Sequence, residues 1–215
     1  MRRRIGSFCM ALGGLMLIAA IALLAYNRWD DWRAGNSVAR IQDELENERE
    51  AGRTDLFSDS GTADAGTSKA GSDEGSDTEM AEIEIDGYAY IGTLSVSRFG
   101  LELPVMSEWS YPGLRIAPGR YSGSVRTDDL VICGHNYERH FGNLKNLEAG
   151  DEITFTDVDG NSFDYVVDEV LILQPTDIEE MLDGASDQWD LTLFTCTVGG
   201  QTRVTVRCSR GEEDG

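Results

Sequence analysis

The stretch LTLFTCTVGGQTRVTVRC, Leu191 to Cys208, reads as two strands joined by a short loop. Thr192, Phe194 and Cys196 alternate with Leu191, Leu193 and Thr195, and Val204, Val206 and Cys208 alternate with Arg203, Thr205 and Arg207. That period of two is the signature of half-buried strands. If they pair about the Thr-Val-Gly-Gly-Gln-Thr turn, Cys196 faces Arg203 with Cα atoms roughly 4.5–5.5 Å apart. Thiol and guanidinium then share one face of a sheet.

A neighbouring cation favours thiolate over thiol, and the thiolate is the nucleophile. An arginine keeps its charge, so the same side chain can hold a developing oxyanion. Such chemistry also needs a proton carrier. The chain has only two histidines, and His135 ends the strand-like run DLVICGHN, where a strand gives way to loop and catalytic groups gather. His140 reads as a solvated loop residue. Arg207 competes with Arg203 for the cationic role, but Arg203 is nearer the turn and the thiol.

The 215 residues leave room for one domain of ordinary size and an N-terminal extension. Met1 to Arg4 is a basic tip, and Ile5 to Tyr26 then runs for 22 residues without a charge. At about 1.5 Å per residue this crosses a hydrocarbon core of roughly 30 Å. A cleaved signal peptide has a shorter apolar run with a small-residue cleavage site beyond it, so an anchor is expected. Arg2, Arg3 and Arg4 then stay cytoplasmic and the rest lies outside: a single-pass protein of the cell membrane with an extracytoplasmic domain. The net charge of −21 argues against a nucleic-acid partner.

Residues 27–50 form a juxtamembrane amphipathic helix, with Val38, Ile41 and Leu45 at helical spacing. Residues 51–82, rich in Gly, Ser, Thr, Ala and Asp, read as a disordered acidic linker. On that reading residues 1 to about 80 can be removed without unfolding the domain. The folded domain spans 83–210. Strands are expected at Tyr88–Val96, Leu101–Met106, Leu130–Gly134, Glu152–Thr156 and Phe163–Leu173. A helical turn follows Phe141, and a short helix covers Pro175–Leu182. Pro104 implies an edge position, and Tyr111–Gly123 reads as turns. With the last hairpin this makes about eight short strands, a mostly β protein closed or nearly closed into a barrel, with short helices and an N-terminal transmembrane helix. In the hairpin register Cys196 and Cys208 are too far apart to be bridged, and Cys133 and Cys208 read as buried free thiols.

The ordered set YIGTLSV, LELPVM, VICGHN, FGNLKNLEAGDEITF, LTLFTC and RVTVRC resembles the sortases, cysteine transpeptidases displayed on Gram-positive cells. The resemblance covers about Tyr90 to Arg207, and the order and spacing of the motifs carry it. It implies a sortase-type barrel and a thiol-dependent enzyme. The enzyme would cleave a C-terminal sorting motif of surface or pilin proteins through a thioacyl-enzyme, then transfer the acyl group to an amine of peptidoglycan or pilin. Cys196 would be the nucleophile, His135 the acid/base and Arg203 the group stabilising substrate and oxyanion, with Asn136 and Thr195 supporting. One imidazole near neutrality can protonate the leaving amine and deprotonate the incoming one in turn.

GHN with a downstream Phe-Gly-x-Leu is similar to class B members. The short Gln174–Asp190 stretch departs from their long helical insertion and leaves class D or an intermediate group open. No cofactor or metal is expected. Asp177, Glu179, Glu180 and Asp183 lie where some relatives bind calcium, but acidic residues suit a helix N-terminus anyway and lack the spacing of an EF-hand loop. Two other readings stand beside transpeptidation: a membrane-anchored cysteine hydrolase with water as acceptor, and a non-catalytic peptide-binding surface module.

Overall fold

The computed structural model describes residues 2–58, 80–178, 180, 189–197 and 199–211. Helix α1 (Arg2–Ser58) is followed by nine strands. These are β1 (Ile83–Ile85), β2 (Tyr88–Val96), β3 (Leu101–Met106), β4 (Gly119–Ser122), β5 (Leu130–Gly134), β6 (Glu152–Asp157), β7 (Ser162–Leu173), β8 (Leu191–Cys196) and β9 (Arg203–Arg210). Eight of them close in the order β2-β3-β4-β5-β8-β9-β7-β6, and β6 returns to β2. β1 adds a short hairpin to the start of β2, across Asp86 and Gly87, both at positive φ. Closure leaves the main ladder without an exposed edge.

The alternation read in the sequence decides which side chains fill this barrel. Leu191, Leu193, Val204, Val206 and Cys208 point inward and join Ile91, Leu94, Leu103, Leu130, Phe155 and Tyr165 in one core. The β8–β9 register pairs Leu191 with Cys208 and Cys196 with Arg203, as the hairpin reading required. Pro104 sits in β3 opposite Thr93, while β3 meets β4 only at Met106, so its missing N–H falls on an unladdered side.

Three sequence expectations need correction. β1 lies at the start of the expected domain, where no strand was read, and β4 in the stretch read as turns: strands this short have too few residues to show a period, although Asp86-Gly87 is a hairpin-turn signal. Helix α1 continues through 51–58, so the helical segment outruns the expected boundary at 50; residues 59–79 of the expected linker lie outside the described residues. Of the expected Pro175–Leu182 helix, Pro175 and Thr176 form a turn, Ile178 and Glu180 are helical, and residues 179, 181 and 182 lie outside the described residues.

An amphipathic helix beside a membrane can lie on the bilayer or against the domain, and α1 takes the second place. Ala34, Val38, Ile41 and Leu45 form a stripe at spacings of four, three and four, and all four are buried. Val38 joins the barrel core, and Ile41 and Leu45 pack with Ile85, Tyr90, Met106, Ala117 and Val158 in a second cluster. Arg49 Nη2 donates to the carbonyls of Thr156 and Asp157 at 3.0 and 2.7 Å. The helix is therefore a wall of the folded unit, and its removal uncovers core. Farther towards the N-terminus it contains one stretch long and apolar enough to cross a membrane, none of it buried against protein.

Candidate active site

β5 and β8 are parallel neighbours, paired from Leu130–Leu191 to Gly134–Thr195. His135 and Cys196 are each the next residue, so both emerge from the same end of the sheet, from backbones about 4.8 Å apart. Residues paired across a ladder share a face, so both point to the same side. Antiparallel β9 brings Arg203 directly opposite Cys196. All three line one cavity of about 290 Å³.

Local bonds hold each of them. Thr195 is buried and its Oγ1 donates to the Gly134 carbonyl at 2.8 Å, tying the cysteine strand to the histidine strand one residue before the site. The β8–β9 turn is closed by Thr197 N donating to Thr202 O at 2.9 Å and by Gly199 and Gly200 at positive φ. Arg203 Nη1 donates to the carbonyls of Gly200 and Thr202, both at 3.2 Å. Among the described residues its other nitrogens make no hydrogen bond, so the guanidinium can still donate towards the cavity.

The loop after His135 folds back at once: Phe141 N donates to the His135 carbonyl at 3.1 Å, and Gly142 N to that of Tyr137 at 2.9 Å. Gly134 makes this possible, since a Cβ there would stand 2.8 Å from the Phe141 ring. Asn136 is half-buried beside His135 but does not line the cavity.

His140 is buried, against the expectation of a solvated loop residue. It lies beneath helix α1, which the sequence gives no reason to place over this loop. Burial first, and then the neighbouring His135, push its imidazole down from 6.5 to about 4, with the Ala34 carbonyl acting weakly the other way. Arg207 is almost fully buried, donates to the Glu180 carbonyl at 2.8 Å and pairs with Glu169. It does not line the cavity, so Arg203 is the arginine beside the thiol.

One wall of the cavity is aromatic, which the sequence reading missed. Tyr111 meets Trp109 edge-on at 5.5 Å, Trp109 stacks on Tyr121 at 5.7 Å, and Tyr121 meets Phe194 edge-on at 5.3 Å. Phe194 could have been found, since it shares a strand face with Cys196. Tyr111 and Tyr121 sit in the stretch read as turns and Trp109 two residues before it, where no periodicity marks them. Pro175 and Ile178 line the cavity as well, giving it an apolar side next to the polar His-Cys-Arg end. The arrangement suits an extended peptide with an apolar side chain and a carbonyl carbon presented to Cys196.

Cys133, Cys196 and Cys208 are free thiols, the first and last buried. Burial pushes Cys133 up to about 12 and raises Cys208 as well. Among the described residues no group of three or more His, Cys, Asp or Glu could hold a metal ion; Glu179 and Asp183 of the acidic loop lie outside them.

The sortase-domain family model matches residues 94–211. A curated relative, sortase A of Bacillus anthracis, is 28% identical over 123 residues, which make up 55% of this chain and 57% of the relative. The solved sortase A from Corynebacterium diphtheriae superposes with a TM-score of 0.53 at 28% identity, covering 59% of this chain and 63% of that one. Sortase C1 from Streptococcus agalactiae gives 0.52 at 26% identity over 61% of this chain and 72% of that one. The chain thus spans less than two thirds of the first two relatives. These matches bear class A and class C names, while the GHN motif resembles class B, so no class is carried over.

Proposed function

This chain belongs to the sortase family, and on that premise we propose that it is a membrane-anchored cysteine transpeptidase acting on a C-terminal sorting motif of surface or pilin proteins. The observation that carries the reading is the convergence of Cys196, His135 and Arg203 on one cavity from three strand ends.

In this mechanism the Cys196 thiolate attacks the scissile carbonyl carbon, and the oxygen becomes an oxyanion beside the Arg203 guanidinium. Collapse breaks the C–N bond as protonated His135 gives its proton to the departing amine, leaving a thioester on Sγ and a neutral imidazole. An incoming amine of peptidoglycan or pilin then attacks the thioester and loses its proton to His135, and the thiolate leaves. Proton and charge return to their starting places. The guanidinium acts where charge develops, which is where a fixed cation contributes most.

Helix α1 supplies the anchor: residues 5–26 span the bilayer, residues 1–4 stay cytoplasmic and the barrel lies outside. The sorting motif reads along the aromatic wall, with its apolar residue between Tyr121, Phe194 and Ile178.

The test uses the full chain in detergent micelles with a library of sorting-motif peptides, with and without triglycine, and weighs the intact enzyme. An acyl adduct on Cys196 together with an amine-dependent ligated peptide is the expected result. Acylation followed only by hydrolysis would make the chain a hydrolase. Turnover that survives in Cys196→Ala would remove this cysteine from the mechanism.

A further inference from the structure

The loop between β5 and the turn at Phe141 is gripped from outside the barrel. Ala34 of helix α1 is buried, and its carbonyl is close enough to act on the His140 ring. Gly35 next to it leaves room for Arg139: a Cβ at Gly35 would stand 2.2 Å from that side chain's Cδ. Nearly two helical turns nearer the membrane-spanning stretch, Arg28 pairs with Glu138 at 3.5 Å. Three successive loop residues, Glu138, Arg139 and His140, thus meet the helix at three places.

From His140 the contact runs inward. Its ring meets Tyr137 edge-on at 5.4 Å, and Tyr137 packs on the His135 ring at 5.2 Å. The backbone makes the same connection, since the peptide N–H linking His140 to Phe141 donates to the His135 carbonyl. Neither ring nitrogen of His140 has a hydrogen bond of good geometry among the described residues, although the ring is fully buried. Its contacts with Tyr137 and with the Ala34 carbonyl seat the ring by its shape more than by hydrogen bonding.

We propose that His140 is a positioning residue: wedged between Ala34 of helix α1 and Tyr137, it fixes the loop that carries His135. The juxtamembrane helix is then part of the catalytic apparatus as well as its anchor. The inference rests on the proposed role of His135, and its structural half can be read without any activity.

The chain contains only two histidines, so each gives its own resonance in the full-length protein in micelles labelled with 13C-histidine. His140→Phe assigns both signals and keeps a ring in the wedge; His140→Ala empties it. Ala34→Leu crowds the wedge from the helix while leaving both histidines in place. The expected results are a displaced His135 resonance in His140→Ala and in Ala34→Leu, and a His135 resonance close to the parent's in His140→Phe. For acylation of a sorting-motif peptide, His140→Ala lowers kcat about tenfold with KM within about twofold, and its pH profile moves with the His135 titration. His140→Phe restores most of kcat.

A native His135 resonance in both His140→Ala and Ala34→Leu would overturn the proposal, as would a loss in His140→Phe equal to that in His140→Ala. If no peptide acylates the parent chain, the transpeptidase reading fails while the resonances still decide the positioning.

Discussion

Arg203 is set beside Cys196 by two ladders at once, since β9 pairs with β8 through Cys196 and with β7 through Leu173. Its planar fork can donate two parallel bonds to a carbonyl oxygen that becomes charged, which a lysine ammonium at the same place cannot reproduce. Arg203→Ala should therefore lower kcat by about 10²–10³, the usual cost of losing one oxyanion donor, and Arg203→Lys should recover only part of it. Single-turnover acylation rates check this; an Arg203→Ala rate within a few-fold of the parent would shift the role elsewhere. The three cysteines of the barrel differ by environment. With its thiol pushed up to about 12, Cys133 holds about one thiolate in ten thousand at pH 8. Cys208 is fully buried and raised too. Iodoacetamide at pH 8 followed by peptide mapping should label Cys196 and leave Cys133 and Cys208 unmodified in the folded chain.

At the scale of the element, helix α1 carries the energy of docking on four side chains. Leu45 is fully buried among Tyr90, Met106 and Val158, and truncating such a leucine costs about 2–5 kcal/mol. Leu45→Ala should lower the melting temperature by that route without touching the cavity. Acid should weaken the same contact. The His140 imidazole is held near 4 in the folded state against 6.5 when released, so the unfolded or undocked state binds more protons between those values. Docking stability is fully present above about 6.5 and is lost as pH falls through 4, a change on the order of 3 kcal/mol. His135 and Tyr137, with the charged Arg28, Glu138 and Arg139, stand around the same loop. Hydrogen exchange of residues 34–45 at pH 5 and 7.5 reads the effect. His140→Phe should flatten it, and an unaltered slope in that variant would assign the pH dependence to other groups.

For the whole molecule, the shared core predicts that helix and barrel unfold together. A fragment starting at Met80 leaves Tyr90, Met106, Ala117 and Val158 exposed where Ile41 and Leu45 lay, whereas a fragment starting at Asn27 keeps that cover and drops only the apolar span. The shorter fragment should melt lower and bind a hydrophobic dye, and the longer one should match the full chain. Equal melting temperatures would mean that the helix adds nothing to barrel stability. If residues 5–26 span the bilayer as proposed, Ala34 lies eight residues beyond the apolar end, about 12 Å along the helix. The loop carrying His135 is then held close above the headgroups.

Strand identity, the Cys196–Arg203 pairing and the freedom of three thiols were legible along the chain because each depends on a period of two or on a turn between adjacent strands. Helix α1's stripe was legible as a stripe, since Val38, Ile41 and Leu45 repeat at helical spacing. What that stripe would cover was not, because periodicity says which face is apolar and nothing about the partner. The same limit hid the aromatic wall, assembled from Trp109, Tyr111 and Tyr121 on one side and Phe194 on the other, and misplaced His140, whose burial is imposed by a helix a hundred residues away in sequence. The amino-acid sequence by itself determined seven of the barrel's eight strands and the three residues proposed for catalysis, through local pattern and near-neighbour pairing. Only the tertiary structure decided that the N-terminal helix closes over the histidine loop, because that contact joins distant segments whose individual signals are ordinary.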